Sequence, residues 1–389
     1  MPGTHALLSP SAAKRWLSCP PSARLHAKLT ERFGDQSSTY AAEGTQAHAL
    51  AELKLRLANG EINQFRFDAE KKLLGEFPPY ADRNTDVYVD TVLEKLFAAR
   101  KVCPDARLFI EQRLDMSEWV PACFGTSDAV IVSDSTLEVI DYKNGQGVAV
   151  SAAENPQARL YALGAVHEFG DIYSFRTIRE TIVQPKLDSI TEETLSKEDL
   201  LAWGESIKPR AALAYKGEGE FSVGEHCRFC AARAVCKARA VQAMGIFDSG
   251  FETPDLISED MIPGILKVAD VAEAWLKDIR QYALKQALSG AIIPGFKLVR
   301  SRAPARKWKS EAEVIDQMAR AGYSEEQYME QPKLMSVAAL EKAIGKTAFK
   351  ALLSGQTVQG EAALTLVPES DKREEFASAD MAFADLADK

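Results

Sequence analysis

Residues Gly125–Lys143 read GTSDAVIVSDSTLEVIDYK, a β-hairpin with Asp128 near the start of one strand and Asp141-Tyr142-Lys143 closing the next. Alternation along a strand puts Asp141 and Lys143 on one face and Tyr142 on the other. Two carboxylates and an ammonium that converge on one point suit metal-assisted phosphodiester hydrolysis. The carboxylates hold a hard cation, and the lysine stabilises negative charge or orients the attacking water. An Asp-x-Lys triplet alone is a common solvated strand end, so the weight falls on what surrounds it.

Upstream, AAEGTQAHALAELKLRLANG is apolar at helical spacing and stops at Asn59-Gly60. It carries His48 four residues after Gly44, in the string Gly44-Thr45-x-x-His48. Downstream, NPQARLYALGAVHEFG reads as a further helix, with Gln157 and Tyr161 at i, i+4 on one face.

Taken in order, G-T-x-x-H, G-x-x-D, D-x-K and Q-x-x-x-Y resemble the RecB-type branch of the PD-(D/E)xK nuclease superfamily. The resemblance implies a metal site made by His48, Asp128 and Asp141, helped by the carbonyl of Tyr142, for Mg²⁺ or Mn²⁺. It implies that Lys143 acts on the nucleophilic water and that Gln157 and Tyr161 support the site or contact the DNA backbone. The first acid stands in Gly-Thr-Ser-Asp rather than Pro-Asp, which the superfamily tolerates. Glu111, in LFIEQRL, is read either as an acid behind the site or as an edge-strand carboxylate.

The chain has six cysteines, and three of them form Cys227-x2-Cys230-x5-Cys236 in EHCRFCAARAVCK. Cys19 lies far upstream in SPSAAKRWLSCPPS. Three clustered thiols need a fourth ligand for a four-cysteine site. AddB-type nuclease domains and the CRISPR-associated RecB-like exonucleases place one Cys before the core and three after it. The resemblance therefore implies a [4Fe–4S] cluster on Cys19, Cys227, Cys230 and Cys236, stapling the N-terminal helix to the region after the core. Zinc is the alternative, held by the last three cysteines with either Cys19 or His226, because both metals accept tetrahedral thiolates. Disulfides rank last, since no secretory signal is present. Cys103 and Cys123 have no partner pattern and read as buried or incidental thiols.

The 389 residues allow a substantial core and more than one domain. No apolar run suits a signal peptide or a membrane span, so the expectation is a cytoplasmic protein with no membrane partner. The formal net charge of −9 argues against a protein that coats nucleic acid, yet leaves room for a local basic groove. Lys14, Arg15, Arg24, Arg228, Arg233, Lys237 and Arg239 are the groove candidates.

The expected architecture is α/β: a restriction-endonuclease-like mixed sheet core flanked by helices, with an iron–sulfur staple and a mainly helical C-terminal extension. Residues 9–29 read as a helix with Ser9 as N-cap and Pro10 at its first position, and 40–59 as the His48 helix. DRNTDVYVDTVLEKLFAARKV is a long amphipathic helix. Strands follow near 107–113, 127–133 and 136–143, then the Gln157 helix, a strand within YSFRTIRETIVQPK, and the helix LSKEDLLAWGESIKPRAALAY. The nuclease domain spans 1–245. An extension over 246–367 carries the basic hairpin GFKLVRSRAPARKWKS, where Arg302, Arg306 and Lys307 beside Trp308 suit single-strand contacts, or else the hairpin is exposed and its Trp caps a small core. It also carries a helix pair in LMSVAALEKAIGKTAFKALLSG. Residues 368–389 form an acidic, disordered tail. The layout resembles phage-encoded RecB-like nucleases with such an extension.

The expected function is a metal-dependent exonuclease on linear or single-stranded DNA, in phage-type recombination or DNA processing, with a recombination or single-strand-binding protein as partner. The alternatives are a DNA-binding or recombination scaffold that does not rely on cleavage, and a zinc-stabilised DNA-binding regulator.

Overall fold

The computed structural model describes residues 6–33, 39–78, 80–248, 262–301, 303–330, 333–358, 360–369 and 371–376. The chain divides into two compact units, Met1–Trp275 and Leu276–Lys389.

The first unit begins with a 3₁₀ turn at Pro10–Ala12, then α1 (Ala13–Ser18) and α2 (Ser22–Phe33). The single helix expected over 9–29 is broken at Cys19, because Pro20 and Pro21 have no N–H to continue the ladder. Ser9 stands at the N-cap position but its side chain makes no capping hydrogen bond. There follow α3 (Thr39–Ala58), α4 (Gln64–Leu73) and α5 (Ala81–Val102). The sheet is built from β1 (Arg107–Asp115), β2 (Phe124–Val132) and β3 (Thr136–Tyr142), then α6 (Pro156–Phe169), β4 (Thr177–Gln184) and β5 (Ser189–Ser196). After it come α7 (Lys197–Lys216) and α8 (Lys237–Asp248), and α9 (Ile262–Leu288) spans the boundary between the two units.

The five strands lie in the order β1-β2-β3-β4-β5. All pairs are antiparallel except β3 and β4, which run parallel and are joined over one face by α6, the crossover that a parallel pair requires. This is the mixed, restriction-endonuclease-like sheet that the strand and helix order implied. Alternation splits its apolar side chains into two cores. Leu137, Val139, Val130 and Ile178 pack with Leu160 and Leu163 of α6, Leu200 of α7 and Trp16 of α1. Ile131, Ile140, Tyr142 and Val183 pack on the other face with Leu55 of α3 and Tyr88 and Val92 of α5. Lys95 of α5 pins the second layer, with Nζ 2.7 Å from Glu138 on β3 and 2.7 Å from Glu192 on β5.

The edge strand β5, SITEETLS, is absent from the sequence reading. Its burial alternates and its residues are polar, so it pairs through backbone rather than through an apolar run.

The second unit has a small core of Val314, Met318, Tyr328, Val337, Leu340, Phe349 and Leu353. It is built from α10 (Glu311–Arg320), α11 (Val337–Ile344) and α12 (Lys346–Leu353) with short strand pairs. The helix pair expected at the end of this region is there, joined at Gly345. The basic hairpin is not. Phe296–Arg300 pairs with Leu364–Pro368, and Lys307–Trp308 pairs with Thr357–Val358. The intervening Pro304 region does not form a two-strand turn, so each segment finds a later partner. Arg302 and residues 377–389 of the expected tail lie outside the described residues. Among the described residues, no helix is long and apolar enough to cross a membrane.

Candidate active site

The hairpin register decides where the acids stand. β2 and β3 pair from Val132↔Leu137 to Ala129↔Ile140, and the ladder stops there. Asp128 is the next residue on β2, opposite Asp141. The splay leaves the Tyr142 amide free, and it donates to Asp128 Oδ2 at 2.7 Å. Asp128 Oδ1 lies 3.1 Å from Nδ1 of His48, delivered by α3 from across the second core.

On the same face as Val139, Asp141 and Lys143 meet α6. Gln157 joins them. Its Nε2 donates to Asp141 Oδ1 at 3.1 Å, and its Oε1 accepts from Lys143 Nζ at 2.9 Å. Asn155 caps the helix, accepting from the Gln157 and Ala158 amides, and so fixes where Gln157 starts. Tyr161, one turn on, is buried on the same helix face as Gln157. Gly125 of the G-x-x-D string is required by close approach. A Cβ there would sit 3.0 Å from the Tyr161 ring and 3.2 Å from Pro10. The four sequence segments that carry His48, Asp128, Asp141 with Lys143, and Gln157 with Tyr161 therefore converge on one end of β3.

The electrostatics push the two acids apart. Burial, then repulsion from Asp128, raises the Asp141 carboxyl above its ordinary value, against the pull of Lys143. Burial acts on Asp128 in the same sense, but His48 and the Tyr142 N–H outweigh it and hold that carboxyl low. Burial works against a charged His48, yet Asp128 outweighs it and raises the imidazole. Lys143 Nζ is 2.9 Å from Asp141 Oδ2, an ion pair, but no hydrogen bond completes that buried oxygen. The Tyr88 hydroxyl is also buried without a partner, and it feels Asp128, Asp141 and Glu111.

Glu111 has a place in the site. It lies where the β1–β2 register skips a pair, opposite Asp128, with φ of 50°. A non-glycine residue in the left-handed region is strained by about 1–3 kcal/mol and persists where its surroundings impose it. Burial, then Asp128 and Glu52, pushes its carboxyl up to about 7. Tyr88 and the left-handed turn at Glu111 escaped the sequence reading. The only trace of Tyr88 was a polar-tipped residue on the buried stripe of α5.

The donor set suits a hard cation: carboxylate oxygens, an imidazole and a strand-end carbonyl. Among the described residues no three His, Cys, Asp or Glu side chains already stand in metal-holding geometry. His48 meets Asp128 through Nδ1, which leaves its Nε2 as the ring nitrogen open to a cation.

The cysteines are gathered by the same folding. Lys14 of α1 reaches Glu225 at 3.1 Å, and the Ala231 amide donates to His26 Nδ1 of α2 at 3.0 Å. Cys227 feels Cys236 and Cys19 through space, and Cys230 feels Cys227. Cys19 and Cys230 are buried, and burial pushes the Cys227 and Cys230 thiols up. Arg15, also buried, meets the Cys230 sulfur and lies near Cys19, with Nη1 left without a partner. His226 is buried as well, its Nε2 3.0 Å from the Ser222 carbonyl. Cys123 is buried, its thiol pushed up to about 12, and Cys103 touches Ser135.

The groove candidates mostly have structural duties. Arg24 donates to the Tyr215 carbonyl at 2.7 Å, Arg233 to that of Arg228 and Arg239 to that of Arg233. Trp308 is committed too. Its indole donates to the Met335 carbonyl at 3.0 Å and its ring lies 5.9 Å from Phe349, so it caps the small core and is not open for stacking on a base.

A family model described as "Protein of unknown function (DUF2800)" matches residues 5–374. The chain belongs to the DUF2800 family. Among solved structures, this DUF2800 chain is similar to a candidate exonuclease from Eubacterium rectale, with 11% identity and a TM-score of 0.34 over 57% of this chain and 86% of that one. It is also similar to SSO0001, with 14% identity and a TM-score of 0.25 over 55% of this chain and 94% of that one.

Proposed function

We propose that this DUF2800 protein is a metal-dependent deoxyribonuclease of the RecB-type PD-(D/E)xK class, acting as an exonuclease on linear or single-stranded DNA. The observation that carries the reading is the Lys143–Gln157–Asp141 bridge standing beside the Asp128–His48 pair.

Asp128, Asp141, His48 and the Tyr142 carbonyl would hold Mg²⁺ or Mn²⁺. Such a cation supplies Lewis-acid polarisation of a phosphoryl oxygen and acidifies water. Gln157 fixes Lys143 beside Asp141, so the ammonium is presented where negative charge develops on the phosphate or on the attacking water. Tyr161, held up by burial, stays a neutral phenol and braces Gln157.

Cys19, Cys227, Cys230 and Cys236 would hold a [4Fe–4S] cluster, with zinc as the alternative. Thiolates on a metal would give buried Arg15 the counter-charge that neutral thiols do not. The role proposed for this site is to tie α1 and α2 to the segment after α7. Recombination or DNA processing, with a single-strand-binding or recombination partner, is the setting that fits such an enzyme.

The test is cleavage of end-labelled linear and circular DNA by anaerobically purified protein, with and without Mn²⁺. Metal-dependent loss of linear DNA, abolished by Asp141→Ala, is the expected result. Cleavage by the variant at the wild-type rate would overturn the reading.

A further inference from the structure

Among the groove candidates, Arg228 is the one placed over the active-site loop. An added Cβ at Gly147 would meet a single neighbour, Arg228 Nη2 at 3.9 Å. Gly147 lies four residues beyond Lys143, so at most about 14 Å of extended chain separates them. The loop is held in place. Buried Gln184 donates to the Gly145 and Val148 carbonyls at 2.7 and 2.9 Å and accepts from the Val150 amide at 3.0 Å. Thr191 accepts from the Ala152 amide at 2.9 Å, so β4 and β5 together fix the path from Lys143 to α6.

Arg228 is exposed and, among the described residues, has no carboxylate at ion-pair distance. Its guanidinium carbon stands 5.8 Å from the centre of the Phe229 ring. Phe229 is 67% exposed, in a segment that otherwise turns Cys230 and His226 inward. The short helix Glu225–Phe229 thus presents a free cation and a bare aromatic ring side by side, next to the loop that leaves the Asp-x-Lys strand. A free guanidinium suits a phosphate, and a bare ring suits the face of a base. Base faces are hidden in a duplex and open in a single strand.

We infer that Arg228 and Phe229 form a single-strand subsite, in which Arg228 takes a backbone phosphate and Phe229 stacks on an unpaired base of the strand leading to Asp141 and Lys143. The inference rests on the nuclease reading above and narrows its substrate to single-stranded DNA or a frayed end.

The test measures binding of the full chain to fluorescein-labelled oligothymidine and to a blunt hairpin duplex, without added divalent metal. Phe229→Ala weakens oligothymidine binding by roughly 5- to 100-fold, leaves duplex binding within about twofold, and Phe229→Trp restores it. Arg228→Ala weakens binding and flattens the salt dependence by about 0.7 in log–log slope, as loss of one single-strand phosphate contact requires. In Phe229→Trp, oligothymidine quenches the new indole. Wild-type affinity in both alanine variants, an equal loss on duplex, or an unquenched indole would overturn the subsite. A wild-type protein that cuts DNA alongside unaffected variants sinks the subsite alone. A selective loss in protein that never cuts DNA upholds the subsite and sinks the nuclease reading.

Discussion

Gln157 stands between Lys143 and Asp141, accepting from the ammonium at 2.9 Å and donating to the carboxylate at 3.1 Å with the two ends of one amide. The amide thus holds both partners in one orientation. Gln157→Glu keeps the size but puts a negative charge beside Asp141 and removes the donor. The expected outcome is a fall in kcat of ten- to a thousandfold with the melting temperature lowered only modestly, by a cost of about 1–2 kcal/mol. Equal kcat in wild type and variant, measured on end-labelled DNA, would remove Gln157 from the site.

The two aspartates should differ in their effect on stability even though the proposed metal site calls on both. Asp141 has a raised carboxyl, so its charged form opposes folding, and that cost grows as pH rises through its folded value. Asp141→Asn removes the cost and should raise metal-free stability at neutral pH. Asp128 has a lowered carboxyl, so its charge favours folding above its unfolded pKa and the benefit fades as pH falls. Asp128→Asn should lower stability by about 1–3 kcal/mol. Denaturant unfolding in chelator decides this, and the same sign for both variants would contradict the assigned pattern.

Glu180 sits on β4 with both carboxyl oxygens buried and unpartnered. Burial first, then repulsion from Glu193, pushes it up to about 8, against the attraction of Arg159. The native state therefore binds a proton that the unfolded chain has released above its ordinary pKa. The neutral acid costs nothing in charge at low pH, and stability falls as pH rises from about 4.5 through 8, by on the order of 4 kcal/mol. Glu180→Gln should gain on wild type at pH 9 and lose that advantage at pH 5. An unchanged difference at the two pH values would show that the carboxyl is not neutral in the fold.

Glu111 carries strain and a carboxyl together, at φ of 50° opposite Asp128. Glu111→Gly should relieve about 1 kcal/mol of backbone strain and remove a carboxyl repelled by Asp128 and Glu52. The expected result is a more stable protein with lower cleavage activity. A variant that is both less stable and fully active would make the left-handed Glu111 a structural feature only.

Cys19→Ala tests the staple. It should lose iron and acid-labile sulfide, or zinc, and loosen the packing of α1 and α2 against residues 225–236, read as faster amide exchange there. His226→Ala should keep the metal. The reverse pattern would place a local zinc knuckle at residues 226–236.

Much of the site was legible because its spacing is local. Asp141 and Lys143 share a face by strand alternation, and Gln157 and Tyr161 share one by helical periodicity. Other features were hidden for physical reasons. β5 is polar and pairs by backbone, so no apolar signal marks it. Glu111 departs from its strand through a left-handed backbone that its side chain does not announce. Trp308 among basic residues looks like a stacking ring until Phe349 and the Met335 carbonyl claim it.

The sequence by itself determined the hairpin, the succession from α5 through β1, β2, β3, α6 and β4, the faces on which Asp141, Lys143, Gln157 and Tyr161 lie, and the three-cysteine cluster. These follow from periodicity and short-range spacing, which act within a strand or a helix. Only the tertiary structure decided that His48 pairs with Asp128, that Gln157 bridges Lys143 and Asp141, that Tyr88 approaches both acids and that Arg228 lies over Gly147. Those contacts join residues far apart in the chain. They exist because the two faces of the sheet bury separate cores, and burial brings each helix to the end of β3 with its polar groups turned toward the acids.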